Sequence, residues 1–271
     1  MIDLHCHILP GIDDGARNMD VSLKMARIAH EDGITVIVCT PHITPGIFDN
    51  DAWRIYDALQ ELQAALDEEG IPIQLYMGAD IHVSPDMPGR LSDGAWPSIA
   101  GTRYFLFEPP HHVLPPNILS LARKLLDMGL VPMLTHPERL TWIEKHYDVI
   151  TALDEAGAVV QITAGAITGR FGDRPRYWSE RLLEEGRVDI IATDAHSVRG
   201  RPPLLAEGRD AAARIVGEKA AWDMVETTPL AMLRNETLPK KRRKVMRSEG
   251  VRPRKNKKKA SSGLFGWLKK G

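Results

Sequence analysis

Seven short runs of β-branched and aliphatic residues recur along the chain with little alternation between polar and apolar positions. They lie at roughly 2–5 (IDLH), 34–40 (ITVIVCT), 73–78 (IQLYMG), 103–108 (RYFLFE), 131–135 (VPMLT), 158–163 (AVVQIT) and 188–193 (VDIIAT). Continuous apolar runs of this length suit strands buried on both faces, as in a parallel sheet covered by helices. Between the runs the apolar period becomes helical. Residues 20–32 place Val21, Met25, Ile28 and Ala29 on one face and end at Gly33, and residues 52–69 do the same with Ile55, Leu59, Leu62 and Leu66 before Gly70 and Pro72. Pro115 and Pro116 open a helix carrying Ile118, Leu121, Leu125 and Leu126, closed by Gly129. Asp173–Gly186 and Pro202–Val216 predict two more.

Strand and helix in alternation imply parallel pairing with right-handed crossovers. Seven such units close into an α/β barrel or stay open as a doubly wound sheet, and periodicity does not choose between them. A glycine-rich dinucleotide loop after the first strand would favour the open sheet, and none is there. The length, 271 residues, suits one barrel-sized domain with a short appendage.

The ends of the strands carry the chemistry. The first runs into His5-Cys6-His7, the second into Thr40-Pro41-His42, the third into Gly78-Ala79-Asp80, and the fourth ends in Glu108. His136 follows the fifth, and Asp194-Ala195-His196 the seventh. In an α/β barrel the carboxyl ends of the strands are where active sites form. Alternate residues of a strand share a face, so the H-x-H and D-x-H pairs each aim two ligands the same way. Imidazole with carboxylate suits zinc, iron(II) or manganese, and a mixed set this large holds more than one ion. A single H-x-H would be weak evidence, whereas two such pairs plus four other strand-end groups are strong evidence. Glu108 adds to it, because a carboxylate ending an apolar strand is costly unless paired or metal-bound. His30, His112 and His146 fall outside the pattern and receive no role.

Composition narrows the classes further. A hydrophobic content of 43% and a charged content of 26% describe a soluble globular chain. No apolar stretch reaches a membrane span, and MIDLHCHILPGIDDG has no basic and apolar leader, so a cytoplasmic protein is expected. Two cysteines make no disulfide framework, and each is expected near a strand as a small apolar residue. Neither Cys6 nor Cys39 has an arginine six positions on, those places being Ile12 and Pro45, which excludes a cysteine-dependent phosphatase loop. The net charge of −1 hides an asymmetry: residues 239–271 carry about +13 and the body about −14.

MIDLHCHILPGIDDG, the TPH at 40–42, GAD at 78–80, HPER at 136–139 and TDAHSVRGRPP at 193–203 together resemble the PHP (polymerase and histidinol phosphatase) superfamily. Within it they look like the CpsB/YwqE/CapC-type manganese-dependent tyrosine-protein phosphatases of bacterial capsule and exopolysaccharide loci, over about residues 1–235. H-x-H alone is widespread among such barrels; HxHxxxxxDDG with HPER and SxxxRPP is far more specific. The resemblance implies a distorted (β/α)7 barrel spanning residues 1–238. It implies metal ligands at His5, His7, His42, Asp80, Glu108, His136, Asp194 and His196, with Glu108 bridging two of two or three ions. Manganese is the family's metal, and iron or zinc also suits the donors. Arg139 and Arg201 match the phosphate-binding arginines, a guanidinium fork suiting a phosphoryl group. The bland alternatives are a salt bridge from Arg139 to Glu138 and an ordinary surface loop for Arg201. Asp14 would orient water or protonate the leaving oxygen, or else only close a turn. Asp80 departs from the family's usual glutamate and is one methylene shorter, and His82, on the same strand face, is placed to compensate.

These parts imply phosphoester hydrolysis by metal-activated hydroxide, with a tyrosine phenolate as an easy leaving group. The partner implied is a tyrosine-phosphorylated protein, a bacterial tyrosine-kinase tail by analogy. Two alternatives keep the metals: a small-molecule phosphoesterase acting on histidinol phosphate or a nucleotide, and a non-catalytic metal-stapled module. Residues 239–271 lack the composition for a core, so disorder is expected there. Their basic residues, followed by Leu264, Phe265, Trp267 and Leu268, suit peripheral contact with an anionic membrane, a merely solubilising tail being the plain alternative. No module for specific nucleic-acid readout accompanies them.

Overall fold

A computed structural model describes residues 1–239; the tail assigned to membrane contact and disorder lies outside the described residues, apart from its first residue. Every strand pairing among the described residues is parallel. In chain order the strands are β1 (Ile2–Cys6), β2 (Val36–Cys39), β3 (His42–Ile43), β4 (Gln74–Met77), β5 (Asp80–His82), β6 (Tyr104–Glu108), β7 (Val131–Leu134), β8 (Val159–Thr163) and β9 (Ile190–Ala192). β3 continues the line of β2 after Thr40-Pro41, and β5 continues β4 after Gly78-Ala79, so nine segments make seven strand lines. The line β1-β2-β4 hands over to β3-β5-β6-β7-β8-β9, and the circle closes where Cys6 bridges Ala195 in parallel. The fold is therefore the distorted seven-stranded barrel, and the open sheet is excluded.

Closure at that seam uses few ladder bonds. Asp194 donates its N–H to the His5 carbonyl at 2.8 Å and His7 donates to the Ala195 carbonyl at 2.9 Å. Below them the buried Asp3 carboxylate accepts from the Thr193 N–H at 3.0 Å and the Thr193 hydroxyl at 2.5 Å. Burial pushes the Asp3 carboxyl up to about 6 despite these bonds. It acts as a side-chain clasp where the backbone ladder is incomplete.

The predicted helices appear with shifted ends: α1 (Met19–Glu31), α2 (Ala52–Glu68), α4 (Ile118–Asp127), α7 (Asp173–Glu184) and α8 (Ala206–Val216), with a short α3 at Met87–Ser92. The predicted face of α2 is buried throughout, while on α1 Val21 and Ile28 and on α4 Leu121 and Leu126 are only half-buried. Ile55, Leu59, Leu62 and Leu66 of α2 and Met25 and Ala29 of α1 all pack outside the barrel. Asn18 and Asp51 cap the first two by accepting from the N–H groups of Val21 and Arg54. The sequence reading missed α5 (Tyr147–Ala156), α6 (Ala164–Ile167), and α9 (Glu218–Trp222) with α10 (Thr228–Leu233) joined through a wide π-turn.

The barrel interior is split along its axis. Ile2, Leu4, Val38, Tyr104, Leu106, Met133, Val159 and Ile190 come from six strands and meet in one apolar cluster, closed from below by Ile99 and Met232. Continuing the same inward phase up β6 from Tyr104 and Leu106 reaches Glu108. In β1 the pairing register shifts between Asp3 and Cys6, so Cys6 joins the outer cluster while Leu4 lies in the inner one. That change of phase turns His5 and His7 to the inside. The plugged lower half leaves only the upper, carboxyl-terminal half for chemistry.

Candidate metal centre

Seven of the eight predicted ligand residues are buried, and His42 is nearly so. Register does part of the placing: His42 pairs with Asp80, and His82 with Glu108, on adjacent strands. His136 and Asp194 follow β7 and β9 with φ of 34° and 50°, a left-handed backbone that non-glycine residues seldom take. Such strain at two candidate ligands is the sort retained at functional sites.

The donors fall into overlapping groups, each compact enough to hold a cation: His5, His7 and Asp80; His5, His136 and Asp194; His7, Asp14, His42 and His196; His42, Asp80 and Glu108; and Glu108, His111 and His136. Glu108 lies between two of them. Its Oε2 faces His42 Nδ1 at 3.4 Å and His82 Nδ1 at 3.7 Å, and its Oε1 faces His111 and His136 Nε2, each at 3.8 Å. Asp80, despite its shorter side chain, lies 3.4 Å from His5 Nε2 and 3.5 Å from His42 Nδ1.

Two residues outside the predicted set, Asp13 and Gln161, and one backbone carbonyl aim three of the imidazoles. His7 Nδ1 lies 2.7 Å from Asp13 Oδ2, and His5 Nδ1 lies 3.0 Å from Gln161 Oε1. His196 Nδ1 is 3.1 Å from the Asp194 carbonyl. Each partner oxygen accepts a hydrogen bond from Nδ1–H, which leaves Nε2 as the lone-pair atom turned inward, the usual way of orienting a ligating histidine. Asp13, not Asp14, closes the DDG turn, accepting from the Gly15 N–H at 2.9 Å and the His42 N–H at 3.0 Å. Asp14 is about half exposed and reaches the Nε2 atoms of His42 and His196 at 3.5 Å.

A fit to metal is visible in the unsatisfied atoms. His42 Nδ1, His196 Nε2, His136 Nδ1 and both oxygens of Asp80 are buried without a hydrogen bond. Buried donors left this way are costly unless something else takes their lone pairs. The electrostatics agree. Burial opposes protonation of His5 and His42, yet the facing carboxylates outweigh it and raise them to about 9 and about 10. His7 and His136 are held well below the usual range, by burial first and then by neighbouring imidazoles and Arg139 respectively. Without metal, His5 and His42 are therefore protonated at neutral pH, and a bound cation has to displace those protons. Apparent metal affinity is expected to rise with pH, by about tenfold per unit for each proton displaced, until the pH passes their raised values. Proton release on adding Mn2+ near pH 7 measures this directly; a pH-independent affinity would contradict it. By the same sign, the metal-free fold gains stability from these groups at low pH and loses it as pH rises through about 9 and 10.

Asp194 divides the centre in two. Its Oδ1 faces the histidines, at 3.4 Å from His5 Nε2 and 3.5 Å from His7 Nε2. Its Oδ2 takes both arginines, Arg139 through Nη1 and Arg201 through Nη2 at 2.6 Å. Burial works against this carboxylate, but the two guanidinium groups outweigh it and hold its pKa well below the ordinary range. Phe171, absent from the predicted set, lies beneath both cations, 4.9 Å from Arg139 and 5.9 Å from Arg201. Arg139 does not pair with Glu138, whose buried Oε1 accepts the Thr163 N–H at 2.8 Å. Arg201 is only partly exposed, and its carbonyl accepts from the N–H groups of His196 and Ser197, so it is no free surface residue.

Gly15 shows how tightly the first loop is packed. A Cβ there would sit 2.2 Å from the His7 carbonyl oxygen and 2.5 Å from His7 Cβ. Gly15→Ala is expected to cost about 1–3 kcal/mol and to weaken metal binding by displacing His7; unchanged melting temperature and metal affinity would contradict the packing. Cys6 and Cys39 are buried and unbridged, as expected for small apolar residues at the strands.

Comparison with known proteins adds an independent line. Residues 1–234 match the family described as "Capsular polysaccharide synthesis, CpsB/CapC". The tyrosine-protein phosphatase YwqE of Bacillus subtilis is 34% identical over 251 residues, covering 90% of this chain and 98% of the relative. The tyrosine-protein phosphatase CpsB of Streptococcus pneumoniae is 25% identical over 243 residues, covering 88% of this chain and all of the relative. A chain from the crystal structures of those two proteins, described as unique metal-dependent tyrosine phosphatases, superposes with a TM-score of 0.85. It is 33% identical and covers 88% of this chain and 96% of its own.

Proposed function

This chain belongs to the CpsB/CapC family of capsular polysaccharide synthesis, and from that premise we propose that it hydrolyses phosphotyrosine in proteins at the Glu108-centred site. The observation that carries the proposal is the division made by Asp194, with imidazoles and carboxylates on one side and two arginines on the other. Divalent ions, manganese by family, would be held by His5, His7, His42, Asp80, Glu108, His136, Asp194 and His196, and would make hydroxide available near neutral pH while neutralising phosphoryl charge.

The chain's own groups do the rest. Asp13 and Gln161 keep His7 and His5 turned to the centre. Arg139 and Arg201, backed by Phe171, offer forked donors to the equatorial oxygens of a phosphoryl group. Asp14, partly exposed at the mouth, is placed to hand a proton to a departing oxygen. A phenolate needs less of that help than an alkoxide. The substrate proposed is a tyrosine-phosphorylated protein, a tyrosine-kinase tail in capsule or exopolysaccharide synthesis, met in the cytoplasm. No helix among the described residues is long and apolar enough to cross a membrane, and recruitment to one would fall to residues 239–271.

The test compares phosphate release from a tyrosine-phosphorylated kinase-tail peptide, histidinol phosphate and AMP in the presence of Mn2+. A higher kcat/KM for the peptide is expected. Preference for a small phosphoester would retain the site and overturn the substrate.

A further inference from the structure

His111 stands outside the family-type ligand set, on the loop three residues beyond Glu108. Its Nε2 lies 3.8 Å from Glu108 Oε1, the same oxygen that His136 Nε2 approaches at 3.8 Å. Those separations are too long for hydrogen bonds and short enough for the three groups to share one cation. The two imidazole rings are 5.0 Å apart, tilted by 55°, and among the described residues the His111 ring faces Glu108 without a hydrogen bond. Its place is fixed by the backbone. The His111 carbonyl accepts from the Thr141 N–H at 2.9 Å and the Thr141 hydroxyl at 3.0 Å, and the preceding Pro110 carbonyl accepts from Trp142 Nε1 at 3.0 Å. Three bonds to the segment that also carries His136 and Arg139 hold the loop as part of the site wall. Its neighbour His112 is exposed and belongs to none of the cation-sized groups.

We propose that His111 is a metal ligand, completing with Glu108 and His136 a two-nitrogen, one-carboxylate position at the outer edge of the centre. This rests on the metal-dependent reading above and makes that position better furnished by protein than Glu108 and His136 alone would. It is reached from the solvent side, since His111 is about a third exposed while His136 is buried. The ion there would be the most exchangeable of the set, and His111 the residue that retains it.

The experiment uses the full chain stripped with EDTA and titrated with Mn2+, read by calorimetry and by metal content after dialysis. Co2+ absorption provides a second readout. His111→Ala is compared with wild type and with His112→Ala, and folding is checked by circular dichroism. Expected is loss of one bound equivalent, or an affinity of one class of site lowered about 10–100-fold, with an altered Co2+ spectrum, in His111→Ala only. Unchanged metal content, affinity and spectrum would overturn the assignment, even if activity fell. An equal loss in His112→Ala would also overturn it, by tracing the effect to the loop. A wild-type chain that binds no metal would fail the metal-dependent reading itself, whichever substrate is used.

Discussion

Glu108→Gln is expected to lower turnover of an aryl phosphate on the order of 10³-fold while the protein remains folded. The carboxylate is the group that two sets of donors share, His42 and His82 on one oxygen and His111 and His136 on the other. Burial opposes its charge, yet the surrounding imidazoles outweigh it and hold its pKa well below the ordinary carboxylate range. The amide keeps the shape and removes that charge. At least one metal equivalent should be lost with it, which calorimetry would record beside the kinetics. Wild-type turnover in the variant would mean that the shared carboxylate is incidental to the chemistry.

The second large effect is expected at Arg139. Arg139→Ala should reduce kcat/KM by about 10²–10³-fold, as removal of one preorganised donor to a charged transition state commonly does. The guanidinium is fixed by Asp194 below and Phe171 behind, so little reorganisation is needed when a phosphoryl group arrives. Arg139→Lys should recover only a small part, because a lysine ammonium keeps the charge without the planar fork. Metal content should be unchanged in both variants, which separates phosphate binding from metal binding. A lysine variant with full activity would show that charge alone suffices.

Much of this was legible because the barrel buries its strands on both faces, so each reads as an apolar run ending in a polar group. The helices that were missed have reasons. In α5 the buried face contains Asp154 beside Ile150 and Leu153, with Arg187 bonded to that carboxylate at 2.9 Å, and a buried acid breaks the apolar pattern. Between α9 and α10 a wide turn at Asp223–Thr227 shifts the phase, and the apolar residues beyond it serve to plug the barrel. The breaks within two strand lines occur at Pro41, which has no N–H to give, and at Gly78, where a Cβ would meet Val38 at 2.7 Å.

At the site, the strand-end histidines and carboxylates that come together were readable, and the groups that orient them less so. Gln161 left a signal, a polar residue within the apolar run AVVQIT. Asp13 and Asp14 are adjacent and alike, and only the path of the turn tells which one faces His7. His111 and Phe171 lie on loops, where no periodicity predicts direction. Asp3 sat in plain view as an acid within a buried strand, its use as the seam clasp being a tertiary fact.

The central claim is that this centre hydrolyses phosphotyrosine only when metal is bound. It is tested most directly by titrating EDTA-stripped protein with Mn2+ while following phosphate release from a tyrosine-phosphorylated peptide. The predicted result is no turnover without metal, activity rising to saturation at two or three equivalents by family analogy, and none restored in His136→Ala. Full turnover by the stripped protein, or undiminished turnover by that variant, would contradict the account.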